Sequence, residues 1–340
     1  MYSIGVKDDI TMKKFICILL AAIIVLSMAS TLASCSEKDN KNDKKDDVTV
    51  RVGSLNGPTS IGLVNLMDWA EKGKTSSNKY EFTMETQGST LSAMMVQGTL
   101  DIALVPANLA ASLYQKTNGG IMVIDINTLG VLYCVTADKS ITKMSDLKGK
   151  TIVTTGQGTT PEFAIRYLMS ALNIDDYNLD FKSEATEVSV ILSSNKQAIG
   201  ILPQPFVTVT TAQHSELNVA FSLSDEWENV TSDSKLVTGV TIVRKEFYEE
   251  HKEAVEQFIK DHKESANAAN EDLYNTASLT TQYGIIGSEG LAKLAIPYCN
   301  VVCITGETMK TTLSGYLKTL YDLAPNSIGG KMPDDAFYLK

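Results

Sequence analysis

Chemically versatile side chains are scarce in this sequence. Its 340 residues include three histidines (His214, His251 and His262), two tryptophans and five cysteines. The histidines form no ligand-spaced cluster with Cys299 and Cys303, so a two-cysteine metal site lacks partners and no metal is expected. His251 and His262 read as members of an exposed late helix, and no histidine stands where a nucleophile would need a base. Cys299 and Cys303 flank Asn-Val-Val, an extended stretch that holds the thiols too far apart for a direct bridge. Cys134, inside the apolar run 131–135, reads as a small buried hydrophobe. Positive charge is short as well. Lys and Arg number 30 against 40 Asp and Glu, for a net charge of −10 and a pI of about 4.9. No basic stripe appears outside the N-terminus, which argues against nucleic-acid binding.

What is present begins with Met12-Lys13-Lys14 and an apolar run from Phe15 to Met28. A basic start, a short apolar core and small residues before a cut site describe a secretory signal, and the core is short for a membrane span of about 20 residues. Leu32-Ala33-Ser34-Cys35 resembles the bacterial lipobox. That implies cleavage before Cys35 and a diacylglyceryl group on its sulfur, hence an extracytoplasmic lipoprotein at the cell membrane. Cys17 leaves with the signal. Residues 36–47, SEKDNKNDKKDD, contain nothing apolar and are expected to form a flexible tether.

The most pointed stretch lies mid-chain. Thr151-Ile152-Val153-Thr154 is a β-branched run that ends in Thr155-Gly156-Gln157-Gly158-Thr159-Thr160-Pro161 and then EFAIRYLMSAL. Pro161 suits a first helical turn, with Thr160 as the expected N-cap and Phe163, Ala164, Tyr167 and Leu168 on the buried face. Strand, glycine loop, helix is the reading. Glycines admit a ligand close to the backbone, and free N–H groups at a helix start attract an anion or polar oxygen. An ordinary strand-to-helix turn would use the same residues. The unit of strand, polar loop and helix recurs from 48 to 116 and again from 197 to 213, calling for a largely parallel sheet with helices on both faces.

The ordered set GSLNGPTS, GTLDIALVP, DLKGKTIVTTGQGTTPEF, AIGILPQPFV and TGVTIVRKEFYEEHKEAVEQFIK resembles the type II periplasmic binding proteins. Among these it is most similar to the branch serving nitrate, sulfonate, taurine and thiamine-precursor ABC importers. The resemblance covers residues 49–325. It implies an α/β fold of two lobes, each a mixed, mainly parallel sheet flanked by helices, joined by two hinge strands and closing on a ligand. Its expected partition is a signal at 1–34, a tether at 35–48, a discontinuous first lobe at 49–137 and 239–340, and a second lobe at 138–238. The crossing strands are expected at 131–137 and 235–243. It also implies a monomer without a cofactor, whose partners are a small-molecule ligand, permease and ATPase subunits, and the membrane through its lipid.

Five loops are expected to face the gap between the lobes, because ligands of such sheets sit beyond the carboxyl ends of strands. They supply the candidate ligand-binding residues Ser54, Asn56, Thr59, Gly88, Ser89, Pro106, Asn108, Gly156, Gln157, Thr159, Thr160 and Gln204, with Tyr133 as a stacking aromatic. The loops contain no Lys, Arg, Asp or His. A sulfonate or carboxylate would then be held by helix starts and hydroxyls, or a neutral heterocycle would stack on Tyr133 or Phe206. Two alternatives share the pattern: an enzyme on the same lobes, like a relative in pyrimidine-precursor synthesis whose cysteine-rich iron site has no counterpart here, and a binding lobe that reports to a sensor.

Overall fold

Valines alternate with polar residues through VTVRVGSL, and the strand it forms buries Val50 and Val52 while Thr49 faces water. The computed structural model of the chain describes residues 48–75 and 77–340, so the signal, the tether and Cys35 lie outside the described residues. In chain order the strands are β1 Val48–Leu55, β2 Asn78–Glu85, β3 Ile102–Pro106, β4 Ile121–Leu129, β5 Leu132–Thr136, β6 Thr151–Thr154, β7 Asn178–Phe181, β8 Ile199–Pro203, β9 Asn218–Ser222, β10 Val237–Arg244 and β11 Val301–Ile304. The helices α1 Pro58–Ile61, α2 Val64–Glu71, α3 Gly88–Val96 and α4 Ala107–Lys116 serve the first half. They are followed by α5 Thr160–Ala171, α6 Ala185–Ser194, α7 Phe206–Gln213 and α8 Leu223–Val230, then α9 Lys245–Glu250, α10 Lys252–Glu271, α11 Leu273–Gln282, α12 Glu289–Ala295 and α13 Gly306–Leu323.

The strands make two mixed sheets. One runs β11-β4-β10-β3-β1-β2, with β1 parallel to β2 and β3, and β10 antiparallel to β3 and β4. The other runs β7-β6-β8-β5-β9, with β6 parallel to β7 and β8, and β5 antiparallel to its neighbours. The chain passes between sheets at Gly130–Val131 and again through 231–236 after α8. Asn300 fastens the first passage: its side-chain amide donates to the Gly130 carbonyl, and its own carbonyl accepts from Leu129 N–H at 3.1 Å.

One apolar cluster reaches both sheets because α13 packs on β4 of the larger sheet and on α5, which flanks the smaller one. Met309, Leu313, Tyr316, Leu317 and Leu320 follow helical spacing and are fully buried. Trp227 of α8 joins them, its indole N–H donating to Ser234 Oγ at 2.9 Å and its ring 4.2 Å from that of Tyr167. That satisfies the one polar atom a buried tryptophan carries.

Two expectations need correction. The late helix expected to carry both His251 and His262 is broken at His251, whose backbone leaves the helical region (φ −133°, ψ 45°), giving α9 and α10. His262 is not exposed. Ala254, Phe258, His262 and Ala266 recur every four residues along α10, and that stripe is the buried one.

Candidate functional site

The carboxyl ends of β1, β2 and β3 in one sheet, and of β6 and β8 in the other, deliver the five loops. After β1 the chain turns at Gly57 into α1. Ser60 Oγ lies 2.5 Å from the Leu55 carbonyl and 2.7 Å from Ser54 Oγ, and Thr59 Oγ1 donates to Leu55 O at 3.3 Å. Ser54 and Thr59 are therefore buried and engaged in the turn, while Asn56 is exposed. At the next loop Gly88 is half-buried and Ser89 exposed, at the start of α3. Pro106 ends β3 and sets the start of α4, which leaves Asn108 on the first turn and buried.

In the loop after β6, Gly156 and Gly158 take positive φ (75° and 74°). A Cβ at Gly156 would stand 2.6 Å from Thr159 Oγ1 and 2.8 Å from Pro161 Cγ, so the turn requires glycine there. The N-cap of α5 is Thr159, not Thr160. Phe163 N–H donates to the Thr159 carbonyl at 3.2 Å, and Thr160 and Pro161 are the first two helical residues. Thr159 makes no side-chain cap bond, since its hydroxyl donates back to Gly156 O at 2.7 Å. Glu162 ties the loop to the helix by accepting from Gly158 N–H at 2.7 Å and pairing with Arg166 at 2.7 Å. Gln157 is exposed. Gln204 is buried, and its carbonyl oxygen accepts from the Thr208 hydroxyl at 2.9 Å, so that oxygen is spent on α7.

Asn108 links the loops of the two sheets. Its amide donates to Gly158 O and to Ser327 O, each at 3.4 Å. At this contact Asn108 Oδ1 and Ser327 Oγ are buried without a hydrogen-bond partner, and the Thr160 hydroxyl beside it neighbours that of Tyr316. Burial pushes the Tyr316 phenol up, with the neighbouring Thr160 hydroxyl opposing the shift. Unpaired buried oxygens are uncommon, and two at one contact can accept from or donate to a polar guest. Ser327 and Tyr316 are absent from the residues expected from sequence. Tyr316 sits in an apolar helical stripe and reads as core, while Ser327 lies in a short turn with no motif.

Tyr133 is placed elsewhere. Its hydroxyl donates to the Tyr298 carbonyl at 3.2 Å, and the two rings meet edge-on at 6.5 Å. Both line a cavity of about 370 Å³ beside the first passage, with Asn300, Asp225 and Lys235 but with none of the five loops. Burial lifts the Tyr133 phenol to about 12. For a metal, the described residues offer one mixed cluster, Asp125, His262 and Cys303, outside these loops. Cys299 is not part of it, and His262 meets Cys303 because spacing along the chain says nothing about residues brought together from a strand, a helix and a second strand.

Two sheets of this topology, with their loop-bearing edges in contact, define the two-lobed type II periplasmic-binding-protein fold. The chain belongs to the family described as menaquinone biosynthesis (VitK2_biosynth), whose model matches residues 58–320. Among solved structures it is similar to an ABC transporter protein from Parabacteroides distasonis at 23% identity and a TM-score of 0.72, covering 86% of this chain and 99% of that one. The periplasmic aliphatic sulphonate-binding protein SsuA from Escherichia coli aligns at 10% identity and a TM-score of 0.68, over 86% and 94%. The nitrate-binding protein NrtA from Synechocystis PCC 6803 aligns at 12% identity and 0.52, over 69% and 66%. These likenesses show the shared fold. No curated protein matches the sequence. Among the described residues, no helix is long and apolar enough to cross a membrane.

Proposed function

We propose that this chain is the substrate-binding protein of an ABC importer, anchored by a lipid on Cys35, and captures a small organic solute between its lobes. The observation that carries the reading is the Asn108 contact, where loops of both sheets meet among buried oxygens lacking partners. In this reading one lobe is built on the six-stranded sheet and the other on the five-stranded one, with the chain crossing between them at 130–131 and 231–236. Ser54, Asn56, Thr59, Gly88, Ser89, Pro106, Asn108, Gly156, Gln157, Thr159, Thr160 and Gln204 line the binding region, with Tyr133 at its hinge side. The loops lack Lys and Arg, so a sulfonate-like anion would be held by N–H groups at the starts of α3 and α5. A pyrimidine or vitamin-precursor heterocycle would use the hydroxyls instead. The protein then works outside the cytoplasm as a monomer, handing its ligand to permease and ATPase subunits. The sulphonate- and nitrate-binding neighbours of the same fold support this choice.

Calorimetry and thermal shift against sulfonates, pyrimidines and vitamin precursors test it. At least one class should bind in a one-to-one ratio; silence of a folded sample across all of them would remove the transport reading. A second reading, an enzyme on the same lobes, is favoured by the family's description. Conversion of a bound compound on incubation, followed by mass spectrometry, separates the two: a receptor returns its ligand unchanged.

A further inference from the structure

Asp125, His262 and Cys303 come from three elements and meet beneath the edge strand of the larger sheet. Asp125 is in the middle of β4, Cys303 is on the neighbouring β11, and His262 projects from α10, which packs across both. One carboxylate oxygen, one ring nitrogen and the sulfur all lie within 4.8 Å of one another. We propose that this trio is a binding site for a zinc-like divalent transition-metal ion, separate from the loops of the solute site.

The surroundings hold two of the three ligands in place. Thr241 Oγ1 donates to Asp125 Oδ1 at 2.7 Å and is itself held by the Asn127 amide at 3.1 Å, leaving Oδ2 toward the histidine. His262 Nδ1 is 3.0 Å from Oδ2, and the ring stacks on Phe258 at 5.5 Å between centroids. Outer partners of this kind fix the orientation of metal ligands. His262 is fully buried, yet its Nε2 has no hydrogen-bond partner. Nδ1 is the ring nitrogen that belongs to the trio, and with the ring proton on Nε2 its lone pair faces Asp125, the form in which a neutral imidazole binds metals.

Charge and softness choose the ion. A buried carboxylate wants a compensating charge, and Asp125 with a Cys303 thiolate together offset two positive charges. On binding, the thiol gives its proton to solvent and its sulfur forms the bond to the metal. Mixed nitrogen, oxygen and sulfur donors suit zinc and its neighbours, whereas calcium and magnesium take oxygen sets. Cys303 is only half-buried, which gives the ion a way in.

The test uses the full chain, stripped with a chelator and titrated with Co²⁺ alone. One equivalent should bind, with thiolate-to-cobalt charge-transfer absorption and the visible bands of a tetrahedral centre. Zn²⁺ should displace it and raise the melting temperature. Cys303→Ala, at the half-buried position, should abolish the charge-transfer band and weaken Zn²⁺ binding by at least about tenfold, the low end of what even an outer-shell partner is worth. His262→Gln should remove the tetrahedral bands, with circular dichroism checking that the variant is folded. A wild-type chain without the thiolate band, or a band that survives in Cys303→Ala, overturns the proposal.

Discussion

Asp101 is the charge most deeply committed to holding the larger sheet together. Its side chain is 1% exposed, and it accepts from Arg51 Nε at 2.9 Å, from Arg51 N–H at 3.0 Å and from Arg244 Nη2 at 3.0 Å. Those donors stand on β1 and β10, on either side of Asp101 at the mouth of β3. Burial alone would raise the carboxyl pKa, but the Arg51 and Arg244 hydrogen bonds outweigh it and hold the group below its ordinary 3.8. Asp101→Asn keeps the shape, takes from Arg51 its carboxylate partner and leaves Arg244 with the exposed Glu246. It should cost about 3 kcal/mol at neutral pH, the low end for one lost partner of a buried pair, since Arg51 is partly in water. Because the folded value is depressed, this stability is present above the ordinary carboxylate value and is lost as pH falls through the folded one. Urea unfolding of both proteins at neutral pH and in acid should therefore show the gap closing in acid. A gap that stays constant would mean the aspartate acts through packing rather than charge. None of this was legible in the sequence, where Arg51 and Asp101 are 50 residues apart. His262 failed differently, because its apolar stripe with Phe258 and Ala266 was there to read and the polar side chain obscured it.

Strand, glycine loop and helix is the element most fully written in the residues. The β-branched run at 151–154 is β6 without adjustment, and the helix behind Pro161 begins one residue earlier than its capping pattern suggests. The difference arises because Thr159 folds back on Gly156 rather than leaving Thr160 outside the helix. Gly156 decides the turn. Gly156→Ala must hold an L side chain at φ 75° against Thr159 and the rigid ring of Pro161, a strain of about 1–3 kcal/mol. Gly158 shares the positive φ, but a Cβ there meets nothing within 4 Å, so Gly158→Ala should be the milder change. In the proposed receptor, Gly156→Ala should lower ligand affinity more than Gly158→Ala, as measured by calorimetry on both variants. Equal affinities would show that the loop can rearrange without consequence. The break at His251 was harder to foresee, since EEHKEAVEQ contains no glycine or proline to announce it.

At the scale of the whole molecule, the order of motifs gave the two lobes, because each strand-and-loop unit is local. What joins the lobes is not local. From the last tenth of the chain Ser327 reaches Asn108 and Tyr316 reaches Thr160, and α13 had only its apolar period to show. Asn108 itself was legible as a polar residue just past a strand end. Its two bonds, to Gly158 O and Ser327 O, are long at 3.4 Å, so on their own they add little to stability, and Asn108→Ala should leave the melting temperature close to wild type. Ligand binding should behave differently. If a solute donates to the unpaired Asn108 Oδ1, alanine removes one polar contact worth about 0.5–1.5 kcal/mol, or roughly 2- to 13-fold in affinity. The same variant should also loosen closure, so that ligand-induced contraction in X-ray scattering is smaller than in wild type, whereas Asp101→Asn, remote from the loops, should contract fully. Should Asn108→Ala bind and contract like wild type, the contact between the loops is mere packing, and the binding region must be sought away from it.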